Sequence, residues 1–246
     1  MAEIFTPTWV CNEQCNAFDE SLTGIKYLFN TPTYINGKRD WVPREGKILL
    51  PNNVSWEKYI SQNSLEITCG EAPYLVSRYD TTTGDSIPIY KRIGLLDRKL
   101  RIINENTTTY DDWYSSVVLA YQSTYGYEWQ GDNILLAREN LLSTFIDYYK
   151  ERWLKIPFET QMIEIATIIS WNIFQMDGLK MVLPMTCYDK RVAATGSLFD
   201  AAQEGILSCT GCSNNNIHKH NGIYAVIMDW KTGKKVEFRS LYKWKI

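Results

Sequence analysis

The chain reads as an α/β protein. Three observations carry that expectation. Short strand-like segments alternate with longer stretches of helical periodicity, tight turns close the strand-like segments, and 246 residues at 45% hydrophobic content can bury one large core. A charged share of 22% is ordinary for globular material and excludes a disordered chain. Net charge is -2 with a pI near 5.8, which excludes a strong overall positive field. Contact with DNA then has to come from a local patch or a partner subunit.

The elements follow in order. Thr6-Pro7 and Thr31-Pro32 mark turns, and between them Trp9 to Tyr27 carries apolar residues at roughly helical spacing. Residues 30 to 63, rich in Asn, Pro and Gly, read as irregular surface. The run from Ser64 to Tyr74 reads as a short strand ending in a tight turn, and residues 80 to 91, with Gly84-Asp85, as a hairpin or loop. A helix is expected from Asp111 to Tyr125, capped by Asp111 or Asp112. Ile134 to Arg152 is the clearest helix, because Leu135, Leu136, Leu141, Leu142, Phe145 and Tyr149 recur at helical intervals. Phe158 to Ile169 gives another, followed by a strand-like piece reaching Phe174. Ile223 to Met228 and Lys235 to Leu241 read as two strands joined by a turn at Gly233. The expected division is a core over 1–185 and a Cys/His-bearing, basic C-terminal extension over 186–246, packed on that core.

Met162 to Phe174 is the most apolar helix-like stretch, but Glu164, Ser170 and Asn172 interrupt it and it is too short to span a bilayer. No membrane partner is expected. The opening residues lack the basic and apolar pattern of a secretory signal, so a cytoplasmic location is expected. There, six cysteines argue for reduced thiols or a metal site over a disulfide framework.

Four places carry candidate cofactor chemistry: Phe5-Thr6-Pro7, the turn from Glu66 to Tyr74, Gly126-Tyr-Glu128 with Leu136 to Leu142 after it, and Asn172 to Leu179 with Asp177. A strand-turn-helix needs Gly where backbone approaches a ligand, and a helix N-terminus favours a polar ligand end. An acid ending the next strand, Glu128, can accept from both hydroxyls of a ribose, and Asp177 can accept from an exocyclic amine. In open α/β sheets such groups gather at the carboxyl ends of the strands. Each feature also has a bland reading, as a plain turn or a surface acid.

In this order the four places resemble the N6-adenine DNA methyltransferases of restriction-modification systems. The resemblance implies a Rossmann-like, S-adenosylmethionine-dependent methyltransferase fold over roughly residues 3 to 180. It implies that Phe5, Thr6 and Pro7 lie against the methionine part of the cofactor. Glu66, Cys69, Gly70, Ala72 and Tyr74 match the family's Asp-Pro-x-Cys-Gly-x-Gly-x-Phe turn, with Glu66 replacing its Asp and Ala72 its second Gly. Gly126, Glu128 and the helix after them match its ribose-binding strand end, and Asp177 the acid that meets adenine. The implied partners are DNA and a specificity or restriction subunit.

The family's Asn/Asp-Pro-Pro-Tyr/Phe motif, which holds the flipped base, is absent from the sequence. Asp229-Trp230 is the divergent candidate, with Asp229 accepting from an amine and Trp230 stacking on a base; the same pair also reads as a hairpin corner with a core Trp. The missing motif implies either a non-catalytic relative or a motif diverged beyond recognition, and a further alternative is a site completed by another chain.

Cys209-Thr-Gly-Cys212 is a Cys-x-x-Cys knuckle, with His218 and His220 after it and Cys187 before it. Two thiolates and one or two imidazoles form a tetrahedral Zn²⁺ set. The alternative is reduced thiols and polar loop histidines. From Lys219 onward, Lys219, Lys231, Lys234, Lys235, Arg239, Lys243 and Lys245 stand against Asp229 and Glu237. With aromatic residues interleaved, this stretch can meet phosphates and unstacked bases, or be a solvated strand face.

Overall fold

A computed structural model describes residues 5–192 and 205–242, with residues 191, 192, 205 and 206 described by backbone alone. The basic residues Lys243 and Lys245 lie outside the described residues. α1 (Thr8–Thr23) follows Pro7 and stops where Gly24 turns left-handed. β1 (Asn30–Ile35) and β2 (Lys38–Pro43) then pair as an antiparallel hairpin closed by Asn36-Gly37, both at positive φ. That dipeptide is a strong hairpin signal, so the expectation of irregular surface over residues 30 to 63 is corrected. Pro32 and Pro43 are tolerated because each strand of a two-stranded ladder has a free edge that needs no donor. α2 (Trp56–Ile60), capped by Ser55, lies in the same stretch.

β3 (Ser64–Ile67) precedes α3 (Leu95–Asn106), a helix the sequence pattern hides. Its Asp97-Arg98-Lys99 run breaks the apolar rhythm, yet all three side chains are buried. α4 (Tyr110–Gln122) is capped by Thr109, whose hydroxyl accepts the Asp112 N–H and donates to the Asp112 carboxylate. Asp111 and Asp112 are already helical, so neither is the cap; Thr109 keeps the extended backbone a cap requires. β4 (Thr124–Glu128), α5 (Gly131–Trp153), α6 (Glu159–Asn172) and β5 (Ile173–Gln175) complete the main unit. β3, β4 and β5 form a parallel sheet in that order, with helices as crossovers. The fold is mixed α/β around this small parallel sheet.

β6 (Lys190–Val192) pairs with β7 (Gly205–Leu207), α7 (Thr210–Ser213) is one turn, and β8 (Val226–Asp229) pairs with β9 (Lys234–Glu237). The largest core lies between the helices and the sheet and includes Leu96, Leu100, Trp113, Tyr121, Phe145 and Ile173. On the opposite face of the sheet, Phe174 and Met176 share a second cluster with Ala225 and Ile227, so the C-terminal hairpin covers that face. Among the described residues, no helix is long and apolar enough to cross a membrane.

Two buried charges organise the helical side. Arg98 pairs with Asp19, donates to the Asn12 side chain at 2.9 Å and the Ile93 carbonyl at 2.8 Å, and Tyr59 donates to Asp19 at 2.7 Å. Burial pushes the Asp19 carboxyl up, and the Arg98 charge beside it opposes that. Asp19→Ala leaves Arg98 buried without a counter-ion, so unfolding free energy is expected to fall by about 3–5 kcal/mol in denaturant titration.

Lys99 is different: its ammonium meets the Gln62 carbonyl at 2.7 Å and the Ser123 hydroxyl at 2.8 Å, with no carboxylate among its partners in the described residues. Burial pulls its pKa down to about 7. An unfolded lysine titrates near about 10.4, so between those values the unfolded chain binds more protons and this group's contribution to stability rises with pH. The melting-temperature difference between the wild type and Lys99→Met is therefore expected to shift in favour of the wild type from about pH 6.5 to about pH 9. A flat or opposite trend excludes it.

Candidate functional site

A cleft of about 440 Å³ opens at the carboxyl ends of β3 and β4. Phe5, Thr6, Glu66, Cys69, Gly70 and Glu128 all line it, so residues from three of the four sequence motifs meet there. The turn after β3 runs through left-handed Thr68, Gly70 and Ala72. A side chain at Gly70 would meet no atom within 4 Å; its backbone conformation is what selects Gly there. Gly70 N–H donates to Glu128 at 2.9 Å, and the Cys69 N–H to the Tyr127 carbonyl at 2.9 Å. The turn is thereby fastened to the end of the neighbouring strand.

The two acids have different tasks. Glu66 accepts the N–H groups of Tyr74 at 3.3 Å and Leu75 at 3.2 Å, closing the turn from inside. Burial holds its pKa well above the ordinary carboxylate range, against those N–H groups. Glu128 accepts Trp129 and Gln130 N–H with its other oxygen, at 2.7 and 3.1 Å, at the entry to α5. Thr6 is tethered through its carbonyl, which accepts the Thr81 hydroxyl at 2.8 Å. Pro7 and Ala72 are absent from the lining: Pro7 leads into α1, and Ala72 is fully buried under the turn.

The helix after β4 also contributes. Asn133 and Leu136 line the cleft, and Asn140 donates to the Glu71 carbonyl and to the Tyr79 hydroxyl, at 3.1 and 3.0 Å. Tyr79 in turn donates to the Glu71 carboxylate. Glu71, Tyr79, Thr81 and Asn133 were not singled out from the sequence. Tyr79 and Thr81 reach the cleft from a loop without motif character, so pairings across some sixty residues, such as Asn140 with Tyr79, left no local signal.

Asp177 does not line the cleft. Its carboxylate accepts Leu179 and Lys180 N–H at 3.0 and 3.2 Å and so holds a turn. Asp229 and Trp230 lie elsewhere too. Asp229 accepts the Thr232 hydroxyl at 2.7 Å and the Lys231 N–H at 3.1 Å, and Trp230 donates to the Asn172 side chain at 2.7 Å while packing on the core. The pair forms a hairpin corner with a partly buried Trp.

A second constellation lies in the C-terminal part. Cys187, Cys209, Cys212 and His220 bring their ligand atoms within 4.8 Å of one another and can hold a metal ion such as zinc. His220 Nδ1 lies 3.5 Å from the Cys187 sulfur and 3.6 Å from each of the others. Burial disfavours the Cys209 thiolate, but the Asn221 and Cys212 N–H groups and His220 outweigh it and draw its pKa down to about 6. Gly211 admits the histidine: a Cβ there would fall 2.5 Å from the His220 backbone nitrogen. His218, grouped with these ligands on sequence, is exposed and outside the set; its carbonyl instead accepts from Arg239 at 3.0 Å.

Comparison with family models, curated proteins and solved structures finds no match to this chain. Elemental analysis of purified protein is expected to give close to one equivalent of metal. Cys212→Ser should lose the metal and His218→Ala keep it, and less than about a tenth of an equivalent in the wild type would exclude the site.

Proposed function

We propose that the chain is the cofactor-binding portion of an adenine-N6 DNA methyltransferase of the restriction-modification kind, which binds S-adenosylmethionine and DNA and does not complete methyl transfer alone. The observation that carries this reading is the junction of Gly70 with Glu128. The turn after one parallel strand and the acid ending the next meet 2.9 Å apart in a cleft that Phe5 and Thr6 also line. The order β3-β4-β5 is that of one half of a doubly wound sheet, and the cleft lies where such sheets take ligands.

The residues fit the cofactor. The cleft volume of about 440 Å³ lies within the range of small-molecule sites. Among the described residues its lining has the Glu71 and Glu128 carboxylates and no Lys or Arg, which suits a sulfonium cation and disfavours phosphate. When bound, S-adenosylmethionine supplies an electrophilic methyl group. Glu128 is the acceptor for the ribose hydroxyls, Leu136 offers an apolar wall, and the Gly70 turn gives backbone access. The lock-up of Asp229 and Trp230 away from the cleft favours the non-catalytic form of the reading.

Zinc is the metal we assign to the Cys187, Cys209, Cys212 and His220 set, since three thiolates and an imidazole form a closed tetrahedral structural site. DNA contact falls to Lys219, Lys231, Lys234 and Lys235, all exposed near that site or on the following hairpin.

Calorimetry is expected to show saturable binding of S-adenosylmethionine, weakened about tenfold or more by Glu128→Ala, the loss of a hydrogen-bonded charge. Labelled-methyl transfer to mixed-sequence DNA by the chain alone should be undetectable. Absence of binding to both the cofactor and its demethylated product overturns the reading.

A further inference from the structure

We infer that Glu71, held by Tyr79 and Asn140, is the residue of the cleft that takes a primary ammonium group of the ligand. The assignment rests on the cofactor reading, in which that group is the α-ammonium of the amino-acid tail of S-adenosylmethionine. The three acids lining the cleft differ in what already occupies them. Glu66, the acid at the family's position, accepts the Tyr74 and Leu75 N–H groups with one oxygen each, and burial favours its uncharged form. Glu128 accepts the Gly70 N–H on Oε2 and the Trp129 and Gln130 N–H groups on Oε1, so three backbone dipoles share its charge. Glu71 accepts the Tyr79 hydroxyl on Oε2, and among the described residues no donor meets its Oε1.

This carboxylate is also held in place. Asn140, buried on α5, donates to the Glu71 carbonyl at 3.1 Å and to the Tyr79 hydroxyl at 3.0 Å, so one amide fixes both the acid's backbone and its partner. Tyr79 leads into a tight turn in which the Asp80 carbonyl accepts the Gly84 N–H at 2.7 Å. On one side of Tyr79, Arg78 pairs with Asp147 of α5 at 2.9 Å; on the other, Thr81 bonds the Thr6 carbonyl at 2.8 Å. An acceptor fixed in this way loses little freedom when a ligand arrives.

The chemistry selects an ammonium. It brings three N–H donors and a full charge, the complement of a half-buried carboxylate with an oxygen to spare. A sulfonium has no donor to give, so it does not answer Oε1. Position agrees with chemistry: Tyr79 and Thr81 line the cleft beside Phe5 and Thr6, the segment assigned to the methionine part, while Glu128 and Leu136 serve the nucleoside. Among the described residues the lining has no Lys or Arg, so the carboxylate of the same tail stays hydrated at the mouth.

The test is an NMR titration of the full chain, which reads weak binding as well as strong. Its probes are S-adenosylmethionine, the demethylated product, and methylthioadenosine, which keeps the nucleoside and sulfur but lacks the amino-acid tail. Glu71→Gln leaves an acceptor for Tyr79 and removes the charge. It is expected to weaken the first two probes about tenfold or more and to leave methylthioadenosine within about twofold. Tyr79→Phe should give the same split at smaller size, and Glu128→Ala should weaken all three. An equal loss for methylthioadenosine in Glu71→Gln marks a structural role and overturns the assignment. A loss confined to S-adenosylmethionine puts the carboxylate at the sulfonium and overturns it as well. Unchanged or tighter binding of S-adenosylmethionine by Glu71→Gln removes this assignment alone and leaves the cofactor reading standing. If none of the three binds the wild type, the cofactor reading falls and takes the assignment with it.

Discussion

The buried Arg98 guanidinium is the constraint on which the arrangement rests. Its three nitrogens reach Asp19 and Asn12 of α1 and the carbonyl of Ile93, while Tyr59 of α2 completes the Asp19 shell. Asn12 also holds Asn30 at the start of β1, at 2.8 Å. A charge taken out of water tolerates few alternatives to full pairing, so these contacts fix α1 in angle and register. That matters for the cleft because α1 begins two residues after Thr6, which lines it. The N-terminal side of the cleft is thus set by a polar cluster on another face of the helix.

From that frame the cleft is built by backbone hydrogen bonds to carboxylates. Glu66 closes its own turn and Glu128 ties the turn to the adjacent strand, so the ends of β3 and β4 present an ordered rim. The opposite face of the sheet is covered by the C-terminal hairpin, and the Cys/His set is joined to it through Tyr224. The Tyr224 hydroxyl bonds the His220 backbone at 2.8 Å, and Tyr224 bridges to Val182, which bridges to Asp177. The metal-ligand cluster is therefore continuous with the end of β5, not a detached appendage.

The helices at Gly131–Trp153 and Glu159–Asn172 were legible because apolar residues recurred at helical spacing, and β3 and the β8–β9 hairpin because turn residues bounded them. α3 was not legible, since its charged run looks solvated until Asp19, Ser77 and Ser123 are brought to it from distant segments. The β1–β2 hairpin had a local signal in Asn36-Gly37 that the surrounding prolines masked.

The sequence by itself determined the α/β class, the Cys-Gly turn, the acid ending β4 and the Cys-x-x-Cys knuckle, all features set by neighbours a few residues away. Tertiary structure alone decided which candidates meet. It joined Glu128 to Gly70, chose His220 over His218, and kept Asp177, Asp229 and Trp230 out of the cleft lining, each in hydrogen bonds of its own. The reason is physical: local spacing dictates turns and periodicity, whereas a shared site depends on segments some sixty residues apart being held by buried polar contacts that carry no local pattern.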